Sequence, residues 1–133
     1  MFVNILFGHL FGDFIFQNNW MALNKSKSSF HCLIHCLIYT LCVLFFTWYW
    51  NPYWALLVFL SHYPIDRYSL IDNWLNFIKG RSLGDYLNST VGISNKEVNM
   101  NVLQGSFGAI VYTVADNTIH LALMWYGWIL FFN

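Results

Sequence analysis

In the apolar run Gly8-His9-Leu10-Phe11-Gly12-Asp13-Phe14-Ile15-Phe16-Gln17, the polar side chains His9, Asp13 and Gln17 stand four residues apart. On an α-helix that spacing stacks them on one face, a turn apart. The same spacing recurs in His31/His35, His62/Asp66 and Asp116/His120. These sets hold all five histidines and every acid that lies inside an apolar segment, whereas Asp72, Asp85 and Glu97 fall in polar connections. Imidazole nitrogen with carboxylate oxygen is a ligand set for zinc, manganese or iron. An i, i+4 pair can hand both groups to one ion, as an H-E-x-x-H helix does. The candidate metal ligands are therefore His9, Asp13, His31, His35, His62, Asp66, Asp116 and His120. They exceed the needs of one tetrahedral ion, and suit either two ions or one ion whose imidazoles are oriented by outer carboxylates. Zinc is the first expectation, with manganese or iron as alternatives. An ion with an open position generates hydroxide and polarises a phosphoryl or carbonyl oxygen, the chemistry of a metal-dependent hydrolase. Gln17 is a candidate to bind substrate or hold a ligand, and Arg67 to pair a phosphate bidentately. The bland alternatives are a helix-capping Gln17, a snorkelling Arg67 and polar pairs that serve as interhelical glue.

The elements that would position these groups follow from composition. The chain has 133 residues, enough for one domain; 58% are hydrophobic, 21% aromatic and only 9% charged. Soluble domains carry about a quarter charged residues, so this chain reads as an all-α polytopic membrane protein, four transmembrane helices in a bundle. Zero net charge leaves no basic face for nucleic acid. Cys32, Cys36 and Cys42 are odd in number and helically spaced, which argues against a disulfide framework and for thiols used in packing.

Spans are expected at about 2–22, 30–50, 52–72 and 105–132, with a polar connection at about 73–104. The first lacks a basic leader and a small-residue cleavage site, and is read as a retained span. Serines in Asn24–Ser29 are candidate caps for the second span, and Asn51-Pro52 for the third. Pro64 should kink the third span by removing the bond to the Leu60 carbonyl. In the long connection, Ser94-x-x-Glu97 is a capping-box pattern, and Trp74, Leu75, Phe77 and Ile78 suggest a brief interfacial segment. Gly105, Gly108 and Ala109 offer a close-packing face in the last span. Lys25 and Lys27 in the first connection, with Lys79, Arg81 and Lys96 in the third, place both connections in the cytoplasm and both termini outside an inner membrane. Tryptophans 48, 50, 54, 125 and 128 then fall at the outer ends, and Trp20 and Trp74 at the inner ones.

At about 1.5 Å per residue, His35 and Asp66 lie roughly 8–10 Å inside the cytoplasmic boundary. Asp13 and His62 lie roughly 13–16 Å in, and Asp116, His9 and His120 roughly 16–23 Å, with His31 near the boundary. Ionisable groups facing lipid at that depth would together cost on the order of 10 kcal/mol, so they should face one another, a cavity or a cation. The rival to a hydrolase is a proton- or metal-ion transporter or channel subunit. A relay should continue across the membrane, yet the outer stretches Trp48–Leu57 and Leu121–Phe132 offer only aromatics and aliphatics as side chains with reach. A purely structural or lytic small membrane protein is the third alternative, and would not need so many ionisable groups at fixed spacing. The bilayer is the expected partner, an oligomer is compatible with the pattern, and a lipid or other phosphate-containing molecule is the expected substrate.

The first-span pattern H-L-x-x-D-F-x-x-Q followed by W-M-A-x-N-K is carried by His9, Leu10, Asp13, Phe14, Gln17, Trp20, Met21, Ala22, Asn24 and Lys25. Together with H-x-x-x-H (His31/His35), H-x-x-x-D-R (His62/Asp66/Arg67) and D-x-T-x-H (Asp116/Thr118/His120), it resembles the domain-of-unknown-function 3307 family. These are small prokaryotic and phage-encoded membrane proteins, and the resemblance covers all four spans. Two positions depart from the family pattern: Ser69 replaces the usual lysine three residues after the third-span aspartate, and Asn117 replaces the glutamine after the last. The resemblance supplies no activity. By analogy alone, its H-x-x-x-D helices are similar to zinc-dependent phospholipase C and related nucleases, which implies a lipid or lipid-linked phosphodiester as substrate.

Overall fold

Asparagines, a proline and two left-handed residues cut an otherwise continuous apolar chain into helices. The computed structural model describes the backbone of residues 1–79 and 95–132 and the side chains of residues 1–78 and 105–132. Helix α1 (Phe2–Leu10) runs directly into one π-helical turn, Phe11–Ile15. It is followed by α2 (Asn19–Asn24), α3 (Ser29–Thr47), α4 (Pro52–Tyr68), α5 (Leu70–Lys79) and α6 (Asn95–Phe132). All regular structure among the described residues is helical.

Local chemistry accounts for the boundaries. Asn18 Oδ1 accepts from the Met21 N–H at 3.0 Å and starts α2. Asn51 Oδ1 accepts from the Tyr53 and Trp54 N–H groups at 2.8 and 3.3 Å, with Pro52 at the first position, as its sequence predicts. Ser28 occupies the cap position of α3 without using its hydroxyl; the loop serines do not supply the expected cap. Trp48 (φ 54°) ends α3 and Ser69 (φ 49°) ends α4, both in the left-handed region that stops a helix. Pro64 sits within α4, which continues to Tyr68.

Two of the four expected spans are helices long and apolar enough to cross a membrane on length and composition: Ser29–Thr47, mean hydropathy 2.0, and Gly105–Phe132, mean hydropathy 1.2. The other two differ from expectation for local reasons. The run expected to be helical from 2 to 22 breaks at residues 16–18, and α4 ends at 17 residues because Ser69 turns left-handed. Gly80, Arg81, Asp85 and Ser94, with the side chains of Lys79, Lys96 and Glu97, lie outside the described residues.

The chain forms two compact units. In the first, Met1–Ser69 with the chain from Ile119 onward, α1, α2 and α4 all pack on α3. At Gly8 a Cβ would fall 2.7 Å from the Val43 Cα, so the α1 and α3 backbones touch. One turn on, Gly12 lies against the Tyr39 ring in the same way. Ile5, Tyr39, Val43, Leu44, Trp54, Val58 and Met124 form the apolar core. The end of α6 joins it through Trp54–Trp128 and Tyr49–Trp128 edge contacts, and through Gly127 against Leu57.

This unit buries polar groups beside its apolar core and exposes large apolar side chains. His9, His35, His62, Asp66 and His120 are buried, while Phe7, Phe14, Leu33, Leu37, Leu41, Phe45, Leu56 and Leu60 are exposed. Thr40 and Thr47, also buried, return their hydroxyls to the Cys36 and Val43 carbonyls at 2.7 Å. In the second unit, Leu70–Thr118, α5 buries Ile71 and exposes Trp74, Phe77 and Ile78. Thr113 and Thr118 there likewise bond back to the Ala109 and Val114 carbonyls.

Candidate metal centre

Two helices and the π-turn deliver the four central polar groups of the first unit to one place. His35 comes from α3 and His62 from α4, and their Nε2 atoms face each other at 3.0 Å. Asp13 Oδ1, on the π-turn, lies 3.2 Å from the first and 3.4 Å from the second. Asp66 Oδ2, one turn after His62, lies 3.0 and 3.2 Å from the same two nitrogens. The donor atoms thus make two triangles sharing the His35–His62 edge, one completed by Asp13 and the other by Asp66.

A neutral imidazole nitrogen carries at most one proton, so one N–H cannot serve His62, Asp13 and Asp66 at once. Around an ion with bonds of about 2.0–2.1 Å, tetrahedral donors stand about 3.3 Å apart. The observed edges of 3.0–3.4 Å fit that spacing. Either triangle offers three donor atoms placed to hold an ion.

A second set of contacts surrounds these four residues. His9 Nδ1 lies 3.3 Å from Asp13 Oδ2, the oxygen not shared with His35 and His62, and 2.8 Å from the Tyr39 hydroxyl. Tyr39 donates to Met124 Sδ at 3.2 Å and stacks on the His62 ring with centroids 3.7 Å apart. Asp66 Oδ1 faces His120 Nε2 at 3.6 Å, and Lys25 Nζ approaches Asp66 Oδ2 at 2.9 Å. His120 also lies over His62, centroids 4.0 Å apart. The π-turn matters here because its extra residue per turn, closed by Phe16 N–H to the Phe11 carbonyl at 2.9 Å, re-aims the chain at Asp13.

Of the residues singled out by spacing, Asp13, His35, His62 and Asp66 meet in the triangles, with His9 and His120 directly around them. Asp116 lies one turn before His120 on α6, within the second unit. Three candidates are elsewhere. His31 packs on the Trp20 ring at 4.1 Å between centroids, a turn short of the cluster. Gln17 falls in the break between the π-turn and α2, so the four-residue spacing from Asp13 no longer keeps it on the same face. Arg67 is spent on the α2–α3 loop: its Nε donates to Ser29 Oγ at 3.1 Å and its Nη1 to the Ser26 carbonyl.

Sequence reasoning passed over Lys25, Tyr39 and Cys36. Tyr39 was legible as the next step of the His31–His35 stripe. Cys36, whose sulfur stands within 4.8 Å of His62 and Asp66 donor atoms, follows Cys32 at the same spacing. The two sulfurs are 3.8 Å apart and remain thiols, as the odd, helically spaced set predicts. Lys25 looked like any positive-inside residue.

A helical protein with a buried His/Asp constellation and apolar outer surfaces is the class these features define. The chain belongs to the family described as protein of unknown function (DUF3307), whose model matches residues 1–131. No curated protein and no solved structure matches it.

Proposed function

We propose that this chain is a four-span membrane protein that binds a divalent transition-metal ion, zinc first, between Asp13, His35, His62 and Asp66. The observation that carries the reading is the convergence of two Nε2 atoms and two carboxylate oxygens at 3.0–3.4 Å, the donor types and spacing that suit a tetrahedral ion. With neutral imidazoles, Asp13, Asp66 and Lys25 sum to one negative charge, which a divalent cation more than offsets. The first unit's apolar exterior suits lipid, and α4, at 17 residues, is about 25 Å long, close to a hydrocarbon core. The loop bearing Lys25 and Lys27 would lie in the cytoplasm.

The activity this site supports best is hydrolysis of a lipid or lipid-linked phosphodiester at the cytoplasmic side of the inner membrane. A bound ion would activate water and polarise the phosphoryl oxygen. His9 orients Asp13, Tyr39 holds the His62 ring face, and the core around Trp54 and Met124 excludes water from the outer side.

The test is elemental analysis of protein purified in a neutral detergent, comparing wild type with Asp13→Asn and His62→Ala. About one ion per chain in the wild type, and a tenth or less in either variant, is the expected result. Release of phosphomonoester or diacylglycerol from labelled lipid should follow the metal content. Metal-free wild type would remove the reading. A second reading, proton transfer, draws on the His35–His62 separation of 3.0 Å, which also fits a shared proton. Metal-independent proton flux in proteoliposomes, lost in His62→Ala, would favour it over hydrolysis.

A further inference from the structure

Among the described residues, Lys25 brings a cationic side chain into contact with the buried cluster, and it enters from the loop side. Its side chain is 17% exposed, against 1% for Asp66, so it reaches from the cluster towards the protein surface. It sits at the C-terminal cap of α2, where the chain leaves the helix for the polar Lys25–Ser28 turn. Its Nζ shares a single carboxylate oxygen, Asp66 Oδ2, with both His35 and His62. That oxygen cannot bind a divalent ion and hold the ammonium with undiminished strength, because the two cations repel one another across it.

We infer that Lys25 is the anion-binding residue of this site, exchanging Asp66 for an oxyanion of the phosphate class when an ion is bound. The inference rests on the metal-centre reading above. Charge supports the exchange. The cluster carries one negative charge with Lys25 and neutral imidazoles, and one positive charge once a divalent ion is added. The loaded site then matches an anion, and a displaced ammonium at its water-facing rim is placed to donate to one of that anion's oxygens. A long, flexible lysine suits such a swing better than a planar guanidinium. Arg67, another cation near this end, is held by Ser26 and Ser29.

The probe is inorganic phosphate, titrated calorimetrically into full-length protein in dodecyl maltoside, with and without zinc. Zinc affinity is measured separately for wild type, Lys25→Met and Lys25→Arg. Removing a competing ammonium should leave zinc binding in Lys25→Met as tight as in wild type or tighter. Its phosphate affinity in the zinc-loaded state should fall about tenfold or more, the loss of one charge-assisted hydrogen bond. Lys25→Arg should keep most of the phosphate affinity and shows that the position tolerates a cation. Repeating the titration in phosphatidylcholine nanodiscs with and without phosphatidic acid separates the sources. Competition by the lipid assigns the site to a headgroup phosphate, and its absence to a free one. Unchanged phosphate binding in Lys25→Met would overturn the inference, as would parallel loss of zinc and phosphate. A wild type that binds no zinc would overturn the metal reading together with it, whereas zinc binding with phosphate affinity independent of Lys25 removes this inference alone.

Discussion

The packing of α1 on α3 makes Gly8→Ala the most informative single change outside the ligands. The added Cβ would lie 2.7 Å from Val43 Cα and 3.2 Å from the Cys42 carbonyl oxygen. Carbon atoms rest about 3.5–4.0 Å apart, so α1 must retreat by about 0.8 Å, and both obstructing groups are backbone. His9 is the next residue, and Asp13 follows on the π-turn, so both should be carried along. Metal–ligand distances tolerate only about 0.2 Å, so a shift several times larger should release Asp13 Oδ1 from its triangle. The expected outcome is a zinc affinity lower by about 10- to 100-fold, the range seen when ligand support is lost, with about 1–3 kcal/mol of stability lost to overpacking. Gly127→Ala is the matched control. Its Cβ also meets an atom at 2.7 Å, but that atom is a Leu57 methyl, which can rotate aside. Zinc titration and thermal unfolding of both variants in detergent provide the comparison. Wild-type zinc affinity in Gly8→Ala, or equal losses in both, would refute the claim that backbone contact at Gly8 sets the position of Asp13.

Other substitutions separate ligands from neighbours. His9→Phe should lower zinc affinity about 10-fold or more by freeing Asp13 Oδ2, yet leave some binding through the Asp66 triangle, whereas His31→Phe should leave it unchanged; zinc titration of the pair checks this. Asn51→Ala removes the acceptor for two N–H groups at the start of α4 and should cost about 1 kcal/mol, read as a lowered unfolding temperature with metal content intact.

The four-residue recurrence of histidine and aspartate put Asp13, His35, His62 and Asp66 among eight candidates, because a helix keeps such residues on one face and burial of charge demands company. Asn51 and Pro52 likewise announced the start of α4, since capping depends only on neighbouring backbone. Spacing failed where the helix was not continuous. Gln17 is separated from Asp13 by a break, and Ser69 ends α4 before the expected span is complete. Composition and periodicity, then, determined that this chain is helical, apolar outside and supplied with side chains of the types that ligate metals. Only the tertiary packing decided which of them share an ion's radius. That choice depends on how closely α1 can approach α3 across Gly8, on the turn that re-aims Asp13, and on the reach of Lys25 to Asp66. Those are distances between segments far apart in sequence, and no local pattern encodes them.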